Sequence, residues 1–250
     1  MSRPARRLPA TAGASAATPV HRVALVTGAN RGLGFEVARQ LSEHGMTVLL
    51  GSRDPDKGLH AARQLAGASG EVIAVQLDVT QQEQVDTLAR WIEITYGRLD
   101  VLVNNAGGYY DHDGLASDGD LTLAWGAMQT HLFGSWRLTS AMLPLMRRHG
   151  YGRIVNVSSG CGASSSSSNH CVAYRTAKSA LNTYTRTLAA ELEGSGIAVN
   201  AVCPGWVATE LGGPGGRPVS LGAAGIVWAA SLPTPAPTGR FFRDGEQIAW

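Results

Sequence analysis

Cysteine is scarce: the 250 residues hold three, Cys161, Cys171 and Cys203, with no zinc-like spacing among them. An odd set argues against a secreted disulfide framework, and each reads as a small buried hydrophobe. Charge of one sign is also scarce. Lys and Arg total 21 against 19 Asp and Glu, a net +2 that recommends neither nucleic acid nor an anionic membrane as partner. No apolar run approaches the ~18 residues that would span a bilayer. A soluble, cytoplasmic protein without a metal site is the expectation. With 44% hydrophobic residues the chain can bury one sizeable core.

Residues 1–20 are rich in Arg, Pro, Ala, Ser and Thr and have no periodic apolar face. They are expected to be a disordered tail. Arg6-Arg7 and the residues after it could be taken for an export signal, but Pro, Thr, Gly and Ser break the apolar region. Residues 21–250 are expected to form a single domain.

What the domain has in quantity is alternation of short β-branched runs with amphipathic stretches, the pattern of an α/β fold. Arg22–Thr27 reads as a buried strand. It ends in Gly28-Ala29-Asn30-Arg31-Gly32-Leu33-Gly34, and Phe35–His44 then has helical periodicity. Strand, glycine-rich turn and helix in that order form a dinucleotide site: glycines let the backbone approach a pyrophosphate, and the helix N-terminus offers free N–H groups. Thr47–Ser52 is the second strand. An acidic residue just beyond it would bind the ribose 2′-hydroxyl of NAD. Arg53 stands there instead, and Arg31 lies in the glycine turn, so two guanidiniums could clamp a 2′-phosphate. NADPH/NADP is therefore expected in preference to NAD, although Asp54 could pair with either arginine.

Further along, helices are expected over Pro55–Leu65 and Gln81–Tyr96, and strands over Glu71–Leu77 and Leu99–Val103. Asp78 and Val79 at the end of the third strand could face an adenine. Asn104-Asn105-Ala106-Gly107 after the fourth suits close packing beside a cofactor. Gly108–Asp120, with Tyr109, Tyr110, His112 and four aspartates, is too polar for core and reads as a solvated loop over an active-site mouth. Leu121–His149 is expected to be one long helix, kinked or loosened in its last turns by Pro144. Arg153–Ser158 and Ile197–Val202 are strands, and the serine run Ser164–Ser168 is a polar loop. Trp206–Ser220 is expected to be a mobile flap. Leu221–Ser231 closes the helices, and a short strand is expected near Gly239–Phe242.

Val172–Glu193 reads as a helix carrying Tyr174 and Lys178, four residues apart and hence on one face. A phenol normally holds its proton to a pKa near ~10. A fixed ammonium beside it favours the phenolate and makes it a usable acid or base near neutrality. Ser159, at the end of the preceding strand, could present its hydroxyl to the same point.

The segments TGANRGLG, NNAG, IVNVSS, YRTAK and CPGWVATEL together resemble the short-chain dehydrogenase/reductase family, and the C-terminal segment is similar to its carbonyl reductase-like branch. The resemblance implies a single Rossmann-type, doubly wound parallel sheet of about seven strands flanked by helices. It implies that Gly28, Arg31, Gly32, Leu33 and Gly34 hold the pyrophosphate side of the cofactor. Asp78 and Val79 would meet the adenine, and Asn105, Ala106 and Gly107 the ribose. Ser159 would polarise a substrate carbonyl, Tyr174 donate the proton, and Lys178 hold the nicotinamide ribose. Pro204, Gly205, Val207 and Thr209 would orient the nicotinamide ring.

One departure stands out. Where the family has an Asn three residues before Gly134, this chain has His131. It could keep the main-chain role of that Asn in a proton relay, or serve as acid or base in a redox-silent isomerase, dehydratase or cyclase. A smaller departure is the 15-residue step from Ser159 to Tyr174, longer than the family's usual one. The reading that follows is NADPH-dependent reduction of a small apolar or aromatic carbonyl compound, or the reverse oxidation, in a homodimer or homotetramer. A cofactor-sensing binding protein is the non-enzymatic alternative.

Overall fold

The computed structural model describes residues 21–67, 69–108, 111, 115–165 and 170–250. The expected tail, Tyr109, Tyr110, His112 and Ser166–Ser168 lie outside the described residues. Strands β1 (Val23–Thr27), β2 (Thr47–Ser52), β3 (Val72–Gln76), β4 (Val101–Asn104), β5 (Gly152–Val157), β6 (Ile197–Val202), β7 (Phe241–Arg243) and β8 (Glu246–Gln247) form one sheet in the order β3-β2-β1-β4-β5-β6-β7-β8. Seven strands are parallel. The eighth, which the sequence did not announce, returns antiparallel to β7 across the turn at Asp244-Gly245.

Helices cover both faces: α1 (Gly32–Glu43), α2 (Pro55–Gln64) and α7 (Val219–Ala230) on one, α3 (Gln82–Tyr96), α4 (Leu121–Met128), α5 (Ser135–His149) and α6 (Val172–Glu191) on the other. The pleat sorts the strands between two cores. Leu25, Leu49, Leu102, Ile154 and Val199 face α3, α5 and α6, whereas Val26, Leu50, Val103 and Val155 face α1, α2 and α7. Burial on both sides explains why the central strands read as continuous apolar runs rather than alternating ones.

The chain from Leu121 to His149 is right-handed helix throughout, but not uniformly α. Gln129–Gly134, between α4 and α5, is π-helical. Pro144 does not loosen the last turns: α5 runs through it to His149, where Gly150 in the left-handed conformation ends it. The irregularity lies upstream, at His131. Gly134 lets this segment close on the sheet, because a Cβ there would come within 2.6 Å of Val79 Cγ2.

β1 pairs with β2 on one side and β4 on the other, so the strand order reverses between β1 and β4. In open α/β sheets the crevice beyond the carboxyl ends of the strands at such a point is where ligands bind. Among the described residues, no helix is long and apolar enough to cross a membrane, and no cluster of His, Cys, Asp or Glu could hold a metal ion.

Candidate active site

The ends of β1 and β4 are stitched together by side chains. Thr27 Oγ1 accepts the N–H groups of Asn105 at 2.9 Å and Ala106 at 2.8 Å. Asn105 Nδ2 in turn donates to Thr27 O at 2.8 Å and Gly28 O at 3.2 Å. The Asn105 amide, expected at the cofactor ribose, thus props the glycine turn from behind. Gly28 takes a left-handed φ of 61°, and a Cβ on it would lie 3.0 Å from Ala106 Cα. A Cβ on Gly34 would sit 2.5 Å from Gly28 O, so the turn closes only with glycine there. The Arg31 side chain does not cap α1. The first-turn N–H groups of α1 remain available to an anion, and the turn fits a dinucleotide pyrophosphate.

One other expected cofactor residue, Thr209, packs against this turn. Thr209 Cγ2 lies 3.6 Å from where a Cβ of Gly32 would be. Glu210, next to it, pairs with Arg31. Asp54 does not pair with Arg53 or Arg31. Its carboxylate caps α2, accepting Lys57 N–H at 3.1 Å, with the Lys57 ammonium also beside it. Arg53 is exposed at the end of β2. Asp78 accepts the N–H and hydroxyl of Thr80, at 2.9 and 2.8 Å, in the turn that leads to α3. Val79 is buried beneath Gly134.

The segment Pro204–Arg217 is folded on itself. Ala208 N–H donates to Arg217 O at 2.9 Å and Arg217 N–H to Trp206 O at 2.7 Å, while Val207 is buried. Trp206, 66% exposed, donates its indole N–H to Gly212 O within the same segment.

The catalytic candidates gather where α6 crosses the end of β5. Tyr174 and Lys178 are both buried, on the face of α6 that continues through Leu181 and Thr185. Lys178 Nζ donates to Val157 O at 2.7 Å and lies 5.6 Å from the centroid of the Tyr174 ring. Burial pushes the Lys178 ammonium down to about 7, against a smaller opposing effect of Cys203. Gly162 permits this approach, since a Cβ there would come within 2.7 Å of Lys178 Cβ. Ser159, half-buried at the end of β5, caps the 3-10 turn Gly160–Gly162 by accepting Cys161 N–H at 3.2 Å. Beneath the site, Ser158 Oγ donates to Asn182 Oδ1 at 2.6 Å. Asn156, entirely buried, links Asn104 to Thr185 through bonds of 2.8 Å each.

His131 joins this group from the π segment. Its ring is 1% exposed and meets Tyr174 edge to face. Nε2 lies 2.8 Å from Gly108 O, and a carbonyl can only accept, so Nε2 carries the proton. Nδ1 is then an acceptor, buried and without a partner among the described residues. Burial, and after it the Lys178 charge, hold the imidazole well below its usual pKa, so it is neutral. Gly107 leaves room for the ring, as a Cβ there would be 2.8 Å from His131 Cε1.

One residue of the site escaped the sequence reading. Asp111, assigned to a solvated loop, accepts Ala173 N–H at 2.8 Å and Tyr174 N–H at 3.1 Å. The signal was indirect. Cys171, at the N-cap of α6, is no capping residue, so the cap had to come from elsewhere in the chain. A cavity of about 510 Å³ opens beside it, lined by Leu115, Leu121, Leu123, Val172 and Ala173 together with Asp111, Asp118 and Asp120. Asp120 is engaged as well: it caps α4, accepting Thr122 N–H at 2.7 Å.

The short chain dehydrogenase family model matches residues 22–216. Short-chain dehydrogenase/reductase 1 of Saponaria officinalis is 33% identical over an alignment covering 90% of this chain and 95% of that protein. The structure of salutaridine reductase from Papaver somniferum superposes with a TM-score of 0.79 at 29% identity, covering 89% of this chain and 99% of that one. That of a variant actinorhodin polyketide ketoreductase with NADPH gives 0.81 at 29% identity, covering 91% and 97%. With a Rossmann-type sheet, a glycine turn that fits a dinucleotide and a buried Tyr–Lys pair on α6, the chain belongs to the short-chain dehydrogenase family and is an NAD(P)-dependent oxidoreductase.

Proposed function

We propose that the protein reduces the carbonyl of a small apolar or aromatic ketone or aldehyde with NADPH, and catalyses the reverse oxidation. The observation that carries this reading is the burial of Tyr174 and Lys178 on one face of α6. NADPH, when bound, supplies the hydride. Ser159 and Tyr174 donate hydrogen bonds to the substrate oxygen as it gains charge, and Tyr174 passes it the phenolic proton. The Lys178 ammonium, held by Val157 O, stabilises the phenolate left behind and holds the nicotinamide ribose. Asn105 to Gly107 border the ribose, Pro204, Gly205, Val207 and Thr209 the nicotinamide, and Asp78 with Val79 the adenine. Arg31 and Arg53 favour the 2′-phosphate.

We read the substrate as apolar from the cavity at the first turn of α6, which Val172 and Ala173, the residues before Tyr174, help to line. Two of its three carboxylates are committed to helix caps, which leaves leucine, valine and alanine side chains as most of the free lining. His131 we assign to the support of Tyr174. Its Nε2–H is committed to Gly108 O and its pKa lies well below neutrality, which counts against acid–base catalysis by the imidazolium and hence against a redox-silent enzyme built on it. The rod formed by α4 and α5 exposes Leu121, Trp125 and Trp136, and we infer that copies of the chain pair through it.

The test is NADPH consumption with a panel of ketones, comparing wild type with Tyr174→Phe. The variant should bind NADPH normally, reported by cofactor fluorescence, and lose turnover by at least about 10³-fold. Full turnover in Tyr174→Phe sinks the mechanism.

A further inference from the structure

We propose that Asp111 is a positioning residue for this reaction: its carboxylate bridges the chain beyond β4 to the first turn of α6 and fixes the backbone from which Tyr174 projects. The inference rests on the reading of Tyr174 as proton donor, and deepens it.

The first turn of any helix presents N–H groups with no partner inside the helix. In most helices a Ser, Thr, Asp or Asn immediately before the turn accepts them. α6 has no such residue. Its N-cap is Cys171, in a left-handed conformation with φ of 59°, and the Cys171 side chain makes no capping bond. The cap arrives from 62 residues away. Asp111 Oδ2 accepts Ala173 N–H at 2.8 Å and Oδ1 accepts Tyr174 N–H at 3.1 Å. Both oxygens of one carboxylate are used, at the end of the helix where the peptide dipoles favour negative charge.

Two consequences follow. One of the bonded amides is that of Tyr174 itself, so the Cα from which the phenol projects is held by this cap. The same carboxylate draws the chain beyond β4 against α6, where Leu115 and Val172 line one cavity. Asp111 holds the main-chain N–H of Tyr174 rather than its phenol, and so acts through that residue. A near-attack geometry is sensitive to displacements of about 1 Å, so loss of this bridge weighs on turnover more than on cofactor binding, which depends on the glycine turn of α1.

The experiment compares Asp111→Ala and Asp111→Asn with wild type by two readouts. Steady-state kinetics with a ketone substrate should show Asp111→Ala reducing kcat about 10-fold or more and raising the ketone KM, with the NADPH Kd unchanged. Asp111→Asn keeps one amide-accepting oxygen and should recover most of the kcat. Amide hydrogen exchange on the protein without substrate should show faster exchange in the first turn of α6 in Asp111→Ala, with the rest of α6 protected as in wild type. The exchange readout does not need catalysis, so a protein that binds NADPH but reduces no ketone would overturn the proposed reaction and leave this bridge measurable. Wild-type kinetics and wild-type exchange in Asp111→Ala would overturn the proposal. So would a variant pair in which Asn is as impaired as Ala, or in which NADPH affinity falls in step with kcat. Should Asp111→Ala fail to fold, Asp111→Asn carries the test by exchange: it keeps only one of the two accepting oxygens, so first-turn amides of α6 that exchange as slowly as in wild type overturn the proposal.

Discussion

His131 and Tyr174 meet edge to face, ring centroids 5.4 Å apart and planes at 87°. The imidazole is wedged between the phenol and the Gly107-Gly108 backbone, one nitrogen spent on Gly108 O. It stands in the π-helical turn, where an extra residue per turn breaks the regular ladder, a feature frequent at functional sites. Removing the ring leaves a cavity and an unpaired carbonyl. His131→Ala should therefore lose about 2–4 kcal/mol of stability by denaturant titration. It should also slow turnover, since the phenol loses a wall.

The same residue sets an acid limit. Folded, His131 takes up a proton only well below the ordinary histidine value of 6.5; unfolded, it does so near that value. Between the two the unfolded chain holds the extra proton, so stability falls as pH drops from 6.5. Denaturation midpoints measured from neutral to acid pH should fall in wild type, and the slope should flatten in His131→Ala. Parallel slopes for the two proteins would contradict this assignment.

Lys178 acts with the same sign at higher pH. Unfolded, it keeps its proton to 10.5; folded, burial releases it at about 7. Between those values the unfolded chain again holds more protons, so stability rises with pH across the window and the cost of burial is greatest at pH 7 and below. Lys178→Met, similar in volume and apolar, should abolish turnover yet stabilise the cofactor-free protein by about 1–4 kcal/mol at neutral pH. The gain should fade towards pH 10.5. A destabilised Lys178→Met protein at pH 7 would mean that the bond to Val157 O outweighs the desolvation of the charge.

Much of this was legible because it is local. The glycine turn after β1, the four-residue step from Tyr174 to Lys178 and the apolar runs of β2 and β6 are each written in adjacent residues. Four things were not. The π segment leaves the apolar periodicity of Leu121–His149 almost unchanged, so it passed as ordinary helix, and the irregularity was expected at Pro144 rather than at the turn that holds His131. Arg153 looks like a surface residue at a strand start, yet it is 1% exposed, its guanidinium satisfied by the carbonyls of Gly152, Gly196, Leu232 and Pro233. Asp111 was lost in a polar loop because its partners lie 62 and 63 residues away. β8 is two polar residues, too short for any alternation to register.

Gly34 tests whether the glycine turn is shaped for a purpose. An added Cβ would meet the Asn105 amide and lie 2.5 Å from Gly28 O, one of which is backbone and neither of which can swing away. Gly34→Ala must therefore push the turn off β4. We expect a stability loss of about 1–3 kcal/mol and at least about 10-fold weaker NADPH binding by fluorescence titration. Unaltered cofactor affinity would place the dinucleotide elsewhere.

Cofactor choice comes down to where two guanidiniums and two carboxylates are spent. Asp54 is occupied by the α2 cap and Lys57, which leaves Arg53 free of it at the end of β2. Arg31 pairs with Glu210, but both side chains are mostly exposed, 66% and 74%, and such pairs contribute under about 1 kcal/mol. A dianionic 2′-phosphate offers a guanidinium more charge and more acceptor oxygens than one carboxylate does. It should therefore take Arg31 from Glu210 at little cost. Arg53→Ala and Arg31→Ala are each expected to raise the Kd for NADPH about 10-fold and to leave that for NADH unchanged. Glu210→Gln, which removes the competitor, should tighten NADPH alone. All three effects should shrink as salt is raised, because the groups lie in water and are screened. If neither arginine alters the ratio of the two dissociation constants, the preference for the phosphorylated coenzyme has no basis in this pocket.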